Sequence, residues 1–416
     1  ARRRIFYAFP AMKLLARDEL IYGFTPEPGL VAVEHAPGET ADAMTLFLRR
    51  DGELATRPEP FAPFLWLTKA DWLADFQPAP EIVRLAGDNP FRVLARFPTW
   101  AALERALGHL RKATGRTPSD PGAPYFVLRD PVQQFLLDTG RTSCGGLLLS
   151  DLKFLFLDLE TDCDPARDFS NPEREEDRIL SIALADGRGW EQLLDGRELD
   201  EKALLKKFVE IVRKRDPDVV AGHNLFKFDL PYLAARAKRH RVPLALGRDG
   251  GAPQVRPARF VAAERTVAYD HFHFHGRQVV DTYLLALAYD VSHRALENHS
   301  LKTVARHFGV AAPNRTYLEG RRIAAAFRDD PAAFRRYALD DVRETAAILP
   351  ILLNAFFAQS LILPLPLETV CLRGTAGKVE ALLLREYLRA RHSVPAPEPP
   401  RAFEGGYTDL FFEGLA

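Results

Sequence analysis

Phe154-Leu155-Phe156-Leu157-Asp158-Leu159-Glu160 sets an apolar run of strand length directly against two carboxylates. Such a run suits a strand buried on both faces, the habit of parallel sheets in α/β folds. Residues two apart on a strand point to one side, so Asp158 and Glu160 share a face. Two like charges that close are costly unless a cation neutralises them. Read alone, the pair is equally a solvated strand end, and the remainder of the chain has to decide.

Working outward toward the C-terminus, residues 178–185 read as a second strand, 200–215 as an amphipathic helix and 218–222 as a short strand entering a loop. Strands alternating with helices indicate an α/β sheet that is at least partly parallel. In such sheets ligands gather at the carboxyl ends of the strands. The loop Gly222-His-Asn224-Leu-Phe-Lys-Phe228-Asp229 is placed to return Asp229 to the crevice of Asp158 and Glu160. There Asn224 offers an amide to hold the loop or a substrate phosphate, and Phe228 an apolar face for a base. The alternative for Asp229 is a plain cap on the next helix.

A third element, Tyr337-Ala-Leu-Asp340-Asp341, falls on a helix predicted over residues 331–349 and opened by Asp330. Positions i and i+4 share a helical face, which pairs Tyr337 with Asp341. Asp340 lies about 100° away in phase. Asp158, Glu160, Asp229 and Asp341 together suit two hard divalent cations, Mg²⁺ or Mn²⁺, about 4 Å apart. Such a pair hydrolyses a phosphodiester by in-line displacement, and the Tyr337 phenol is placed to hydrogen-bond the attacking water. Thr161 completes the first motif on the substrate side.

The order strand pair, loop and helix resembles the DEDD superfamily of 3′→5′ exonucleases, through Asp158-Leu-Glu160, Asn224-x-x-x-Phe228-Asp229 and Tyr337-x-x-x-Asp341. The resemblance implies a ribonuclease H-like fold, and Tyr337, with Arg336 where the other branch has histidine, implies the tyrosine branch. It narrows to the family B DNA polymerases through Arg129-Asp-Pro-Val-Gln-Gln-Phe-Leu-Leu-Asp138-Thr-Gly and Leu296-Glu-Asn-His-Ser-Leu-Lys302-Thr-Val-Ala. Arg373-Gly-Thr-Ala-Gly-Lys378 and Phe403-Glu-Gly-Gly406-Tyr resemble the lead into that family's polymerase module.

The fold class implied is α/β: a ribonuclease H-like exonuclease domain (151–355), preceded by a mixed α+β N-terminal domain (1–150) and followed by a linker and the start of a polymerase palm (356–416). The function implied is the proofreading 3′→5′ exonuclease portion of a DNA-directed DNA polymerase. No Ser-Leu-Tyr-Pro-Ser or Tyr-Gly-Asp-Thr-Asp segment occurs in these residues, so no polymerase site is expected in this chain. The expected partner is DNA, as a single-stranded 3′ end or primer-template, with the rest of the polymerase and a sliding clamp beyond it. Two other readings stay open: a free-standing tyrosine-branch exonuclease in repair or RNA processing, and a non-catalytic DNA-binding module.

Composition sets bounds on these readings. The 416 residues suffice for two or three domains with sizeable cores. Lys plus Arg equals Asp plus Glu at 56 each, so net charge lends nothing to a polyanion partner and the case rests on local sites. Three widely spaced cysteines offer neither a metal pair nor a disulfide framework, which fits a reducing, intracellular compartment, the nucleoid if prokaryotic. No stretch approaches the roughly 20 apolar residues of a spanning helix.

Four further features carry weaker readings. His271, His273 and His275 alternate, but their spread of about 13 Å along a strand is too wide for one zinc, and an exposed or DNA-facing hairpin is expected instead. Gly374-Thr-Ala-Gly377-Lys378 lacks the leading glycine and trailing Ser/Thr of a phosphate loop. Lys378, Arg385 and Arg389 read as a solvated helix face or as phosphate contacts. Asp281 is expected to cap the next helix rather than to sit beside the metals.

Overall fold

The computed structural model describes residues 23, 25–164, 167, 169–312, 314–318 and 322–397. Phe403 to Tyr407, the outermost part of the expected palm, lies outside them.

Three antiparallel strands open the described chain: β1 (Leu30–Ala36), β2 (Asp42–Arg50) and β3 (Glu53–Phe61), in that order across the sheet. Pro58 and Pro60 confine β3 to the edge, where a missing amide donor costs no ladder bond. The apolar run of residues 61–67 has the length of one strand but is split at Pro63. The second piece, β4 (Phe64–Leu67), belongs to a four-stranded antiparallel sheet with β5 (Glu81–Arg84), β6 (Val93–Arg96) and β7 (Tyr125–Phe126). Helix α1 (Trp100–Thr114), capped by Thr99, packs Leu103, Ala106 and Leu110 onto it. A second helix, α2 (Pro131–Thr139), is capped by Asp130.

The central sheet has the order β10-β9-β8-β11-β14, from β8 (Phe154–Thr161), β9 (Ile179–Ala185), β10 (Glu191–Asp195), β11 (Val219–Gly222) and β14 (Gln278–Asp281). Strands β8, β11 and β14 run parallel, while β9 and β10 are antiparallel to their neighbours. The period of two in β8 sorts its side chains cleanly. Leu155, Leu157 and Leu159 face a core shared with α3 (Glu201–Arg215) and α4 (Asp229–His240). Phe156 faces the opposite core, against the long helix α8 (Pro331–Ser360). Asp158 and Glu160 continue the Phe156 face and therefore look toward α8. Each Leu or Val buried in this way contributes about 1.5–3 kcal/mol.

Between β11 and β14, residues 241–262, rich in Gly, Pro and Arg and expected from that composition to be an inserted loop, are irregular only as far as residue 253. From Gln254 the chain builds an antiparallel hairpin, β12 (Gln254–Ala262) and β13 (Arg265–His273). Arg256, Arg259 and Arg265 obscure the alternation in the sequence because the strands are largely solvated. The histidines at its end are not an exposed face. His271 is buried against Glu368, with its ring 5.5 Å from that of Phe226, while His273 and His275 are half-buried and both turn to Glu34.

Helices α5 (Thr282–His293), α6 (Leu301–His307) and α7 (Ile323–Asp329) lead into α8. The long helix does not stop at Leu349. It runs through Pro350 because Ile348, Leu349, Leu352, Leu353 and Phe357 are buried on both sides of that residue, outweighing a proline penalty of about 3 kcal/mol. The chain then forms α9 (Leu367–Leu372) and α10 (Thr375–Arg389). In α10, Arg385 is fully buried and donates to the Ile362 carbonyl at 2.8 Å, and Lys378 donates to Gln359 at 2.7 Å, so neither reads as a phosphate contact.

The N-terminal sheet is tied to the central one by buried charge. Arg49 donates to Asp218, the residue before β11, at 2.6 and 3.1 Å, and Arg248 adds a third contact at 2.8 Å. Among the described residues no helix is long and apolar enough to cross a membrane.

Candidate active site

Strand β11 pairs with β8 only as far as Phe156, whereas β8 runs on to Thr161. Asp158 and Glu160 thus stand beyond the end of the neighbouring parallel strand, at the mouth of a crevice. The loop after β11 fills part of that gap. Gly222 starts it, where a larger residue would be crowded: a Cβ would lie 3.0 Å from the Leu157 carbonyl and 2.9 Å from Leu225 Cδ1. Asn224 turns the chain at φ +66°, a left-handed position that asparagine tolerates better than most residues. Its carbonyl accepts from the amides of Lys227 and Phe228 at 3.2 and 3.0 Å.

Asp281 locks the loop from outside. Besides capping α5 through Tyr283, it accepts the amides of Asn224 at 2.8 Å and Phe226 at 3.1 Å. Burial pushes it up to about 6 in spite of those amides. It is therefore the helix cap expected, and also the anchor of the loop that carries Asp229.

Asp229 is the first residue of α4 rather than its cap. Its side chain is 2% exposed and accepts the Leu159 amide at 3.1 Å, on the edge that β11 leaves open. From the other side α8 presents Tyr337 and Asp341 as the i, i+4 spacing requires. One carboxylate oxygen from each of Asp158, Glu160 and Asp341 lies within 4.8 Å of the others. Asp340 turns away, accepting from the Thr316 amide at 3.2 Å and pairing with Arg343 at 3.1 Å.

Burial and mutual repulsion raise the proton affinity of the whole group. Asp158 is pushed well up by burial and then by Asp341, Glu160 and Asp229, with Lys302 pulling the other way. Glu160 follows the same pattern, with Asp341 its strongest charged neighbour. Asp229 is raised by burial and Asp281, and Asp341 by burial, against Arg315 and Lys302. A site that holds carboxylates so unfavourably charged attracts positive charge, and donors that are all hard oxygens fit Mg²⁺ or Mn²⁺ rather than a soft metal.

Tyr337 is 5% exposed, and burial with Glu160 and Asp341 raises its hydroxyl far above the usual phenol range, so it keeps its proton. Lys302 Nζ donates to that hydroxyl at 3.1 Å and lies 4.7 Å from the ring centre. Thr161 Oγ1 is engaged with Ser170 Oγ at 2.9 Å. The Phe228 ring, half-buried, packs 5.4 Å from Tyr232.

Two site residues escaped the sequence reading. Glu344 is 3% exposed and pushed up to about 7 by burial; it stands three residues after Asp341 on the same face of α8, a spacing that could have found it. Arg315, buried in a loop, contacts both Asp341 and Glu344, and no periodicity marks it. Lys302 was visible only as part of a family segment.

Residues 150–304 match the DNA polymerase family B exonuclease domain, a window holding Asp158, Glu160, Asp229 and Lys302 but ending before Tyr337 and Asp341. A DNA polymerase of Archaeoglobus fulgidus is 30% identical over 249 residues, covering 59% of this chain and 29% of its own length. DNA polymerase 2 of Aeropyrum pernix is 32% identical over 228 residues, covering 54% and 26%. The chain thus spans under a third of those relatives. The fold is similar to about half of the family B DNA polymerase from the hyperthermophilic archaeon Pyrobaculum calidifontis, with a TM-score of 0.70 and 22% identity, covering 91% of this chain and 52% of that one.

Proposed function

We propose that this chain, whose residues 150–304 match the exonuclease domain of family B DNA polymerases, removes the 3′-terminal nucleotide of DNA by two-metal hydrolysis, as the editing centre of a polymerase. The observation that carries this reading is the meeting of strand and helix carboxylates, Asp158, Glu160 and Asp341, within 4.8 Å at the open end of β8. Asp158, Glu160, Asp229 and Asp341 would hold two divalent cations. When bound, these supply a nucleophile from water at neutral pH and offset charge on the leaving 3′ oxygen.

The protein's own part is positioning. A protonated Tyr337 can only donate to, not deprotonate, the attacking water, so its role is to aim it. Lys302 donates to the oxygen of that phenol, and the phenol in turn donates to Asp341, which would set its proton beside the attacking water. Thr161, Asn224 and Phe228 line the approach of the 3′ end, Phe228 offering a face on which a base can stack. A site that accepts only single strands would be directed to errors, because a mispaired terminus costs less to unpair.

The sheet order and its antiparallel second strand support a ribonuclease H-like domain over residues 151–355, with residues 1–150 as the N-terminal domain and 356–416 as linker and palm start. A sliding clamp and the remaining polymerase belong to the same reading as partners. The domain match favours this over a free-standing nuclease or a non-catalytic module. The test is degradation of a 3′-labelled single strand: Asp158→Ala with Glu160→Ala should abolish it while the melting curve stays cooperative. Undiminished degradation by that variant would sink the assignment.

A further inference from the structure

The loop of residues 314–318 is pinned to α8 at two consecutive positions. The Thr316 amide donates to Asp340 at 3.2 Å, and the neighbouring Arg315 places Nη2 on Oδ1 of Asp341. Arg315 is 1% exposed in its side chain, so this is a built contact and not a passing surface pair. Its Nη1 also donates to the Thr316 carbonyl at 3.0 Å, which fixes the plane of the guanidinium. The same group lies with Nε 2.8 Å from Glu344 Oε1.

The two carboxylates are not equally served. Asp341 receives a direct hydrogen bond, whereas among the described residues neither oxygen of Glu344, 3% exposed, receives one of good geometry. A buried carboxylate left in that state is costly. Arg315 therefore has a second seat already in contact, three residues along the helix from the first. Asp341 is one of the three carboxylates that converge for a cation. A guanidinium on its Oδ1 and a divalent ion compete for the same oxygen.

We propose that Arg315 is a resident counter-ion of the metal site, seated on Asp341 when no metal is bound and released onto Glu344 when one is taken up. Arg315 and Glu344 are positioning residues in this scheme and need not touch substrate. The inference rests on the metal-site reading above. It differs from a general field effect, in which any nearby positive charge weakens metal binding and any negative one strengthens it. In the seat-exchange scheme Glu344 matters only through Arg315.

The experiment is a calorimetric Mn²⁺ titration of the 416-residue chain as wild type, Arg315→Gln, Glu344→Gln and the double variant, each checked for a cooperative melt. Arg315→Gln should tighten Mn²⁺ by about fivefold or more, the lower end of the coupling expected between competing ligands. Glu344→Gln should weaken it by a similar factor. In the Arg315→Gln background the Glu344→Gln penalty should vanish.

Additive effects of the two substitutions, or looser binding in Arg315→Gln, would overturn the scheme. Absence of Mn²⁺ uptake by the wild type would overturn the metal-site reading and this one with it, so the two failures are distinguishable. If Arg315→Gln does not fold, Arg315→Lys retains the charge but loses the planar fork that spans both acids. In that background the Glu344→Gln penalty should shrink, and a full penalty would again overturn the scheme.

Discussion

Asp229 and Leu159 are joined by a 3.1 Å hydrogen bond from backbone amide to carboxylate, which closes the edge of β8 where β11 ends. One side chain thereby finishes the sheet and lies close enough to Asp158 and Glu160 to raise the proton affinity of both, although the converging cluster within 4.8 Å is Asp158, Glu160 and Asp341 without it. These two duties are separable by substitution. Asp229→Asn retains an acceptor for Leu159 and removes a charge that burial disfavours, so urea unfolding should show stability equal to or above wild type. Asp229→Ala orphans a buried amide and should cost about 1–3 kcal/mol. Both should degrade single-stranded DNA at least about 100-fold more slowly, and an active Asp229→Asn would remove this residue from the chemistry.

The raised acids give the metal-free protein a definite pH response. A carboxyl with a higher pKa folded than unfolded binds more protons in the native state. Its contribution is fully present below the unfolded value of about 4 and is lost as pH rises through the folded value. Asp158, Glu160, Asp229 and Asp341 are all raised, Asp281 to about 6 and Glu344 to about 7. Wild type should therefore lose more stability from pH 5 to pH 8 than Asp158→Asn/Glu160→Gln does. The difference between the two melting series isolates this effect from acids such as Glu201 and Asp216, which are lowered. Metal binding should release protons, read as a dependence of binding heat on buffer ionisation enthalpy.

Tyr337→Phe keeps the ring beside Lys302 and removes only the hydroxyl. With one donor lost at the reacting centre, turnover should fall about 10²-fold with an unchanged melting midpoint. Arg336→Ala, on the exposed side of the same helix, should stay near wild-type turnover. Equal losses from the two variants would contradict a positioning role for the phenol.

Pro350 is exposed within an otherwise continuous helix. Pro350→Ala restores a donor to the helical ladder at a site where the backbone is already helical. Stability by urea denaturation should rise, by up to about 3 kcal/mol. A loss would mean that the proline bend is required by the packing of Leu352, Leu353 and Phe357.

The acid pair on β8 was legible because strand alternation is local: a seven-residue run fixes which side chains share a face. The pairing of Tyr337 with Asp341, and the exclusion of Asp340, followed in the same way from helical phase. The caps at Asp130, Asp200, Asp281 and Asp330 were local signals too, and the structure bears out those at Asp281 and Asp330 that the sequence pointed to.

Elements governed by distant contacts were not legible. The hairpin of β12 and β13 hides because solvated strands need no apolar alternation, and α8 passes Pro350 because burial on both sides outweighs a local penalty. Arg315 shows the limit most plainly. Nothing in Asn314-Arg315-Thr316 distinguishes it from a solvated loop arginine, and only the folding of that loop against Asp340 puts its guanidinium on Asp341. Local periodicity determined which acids could act together; the meeting of a loop with a helix decided which cation holds them.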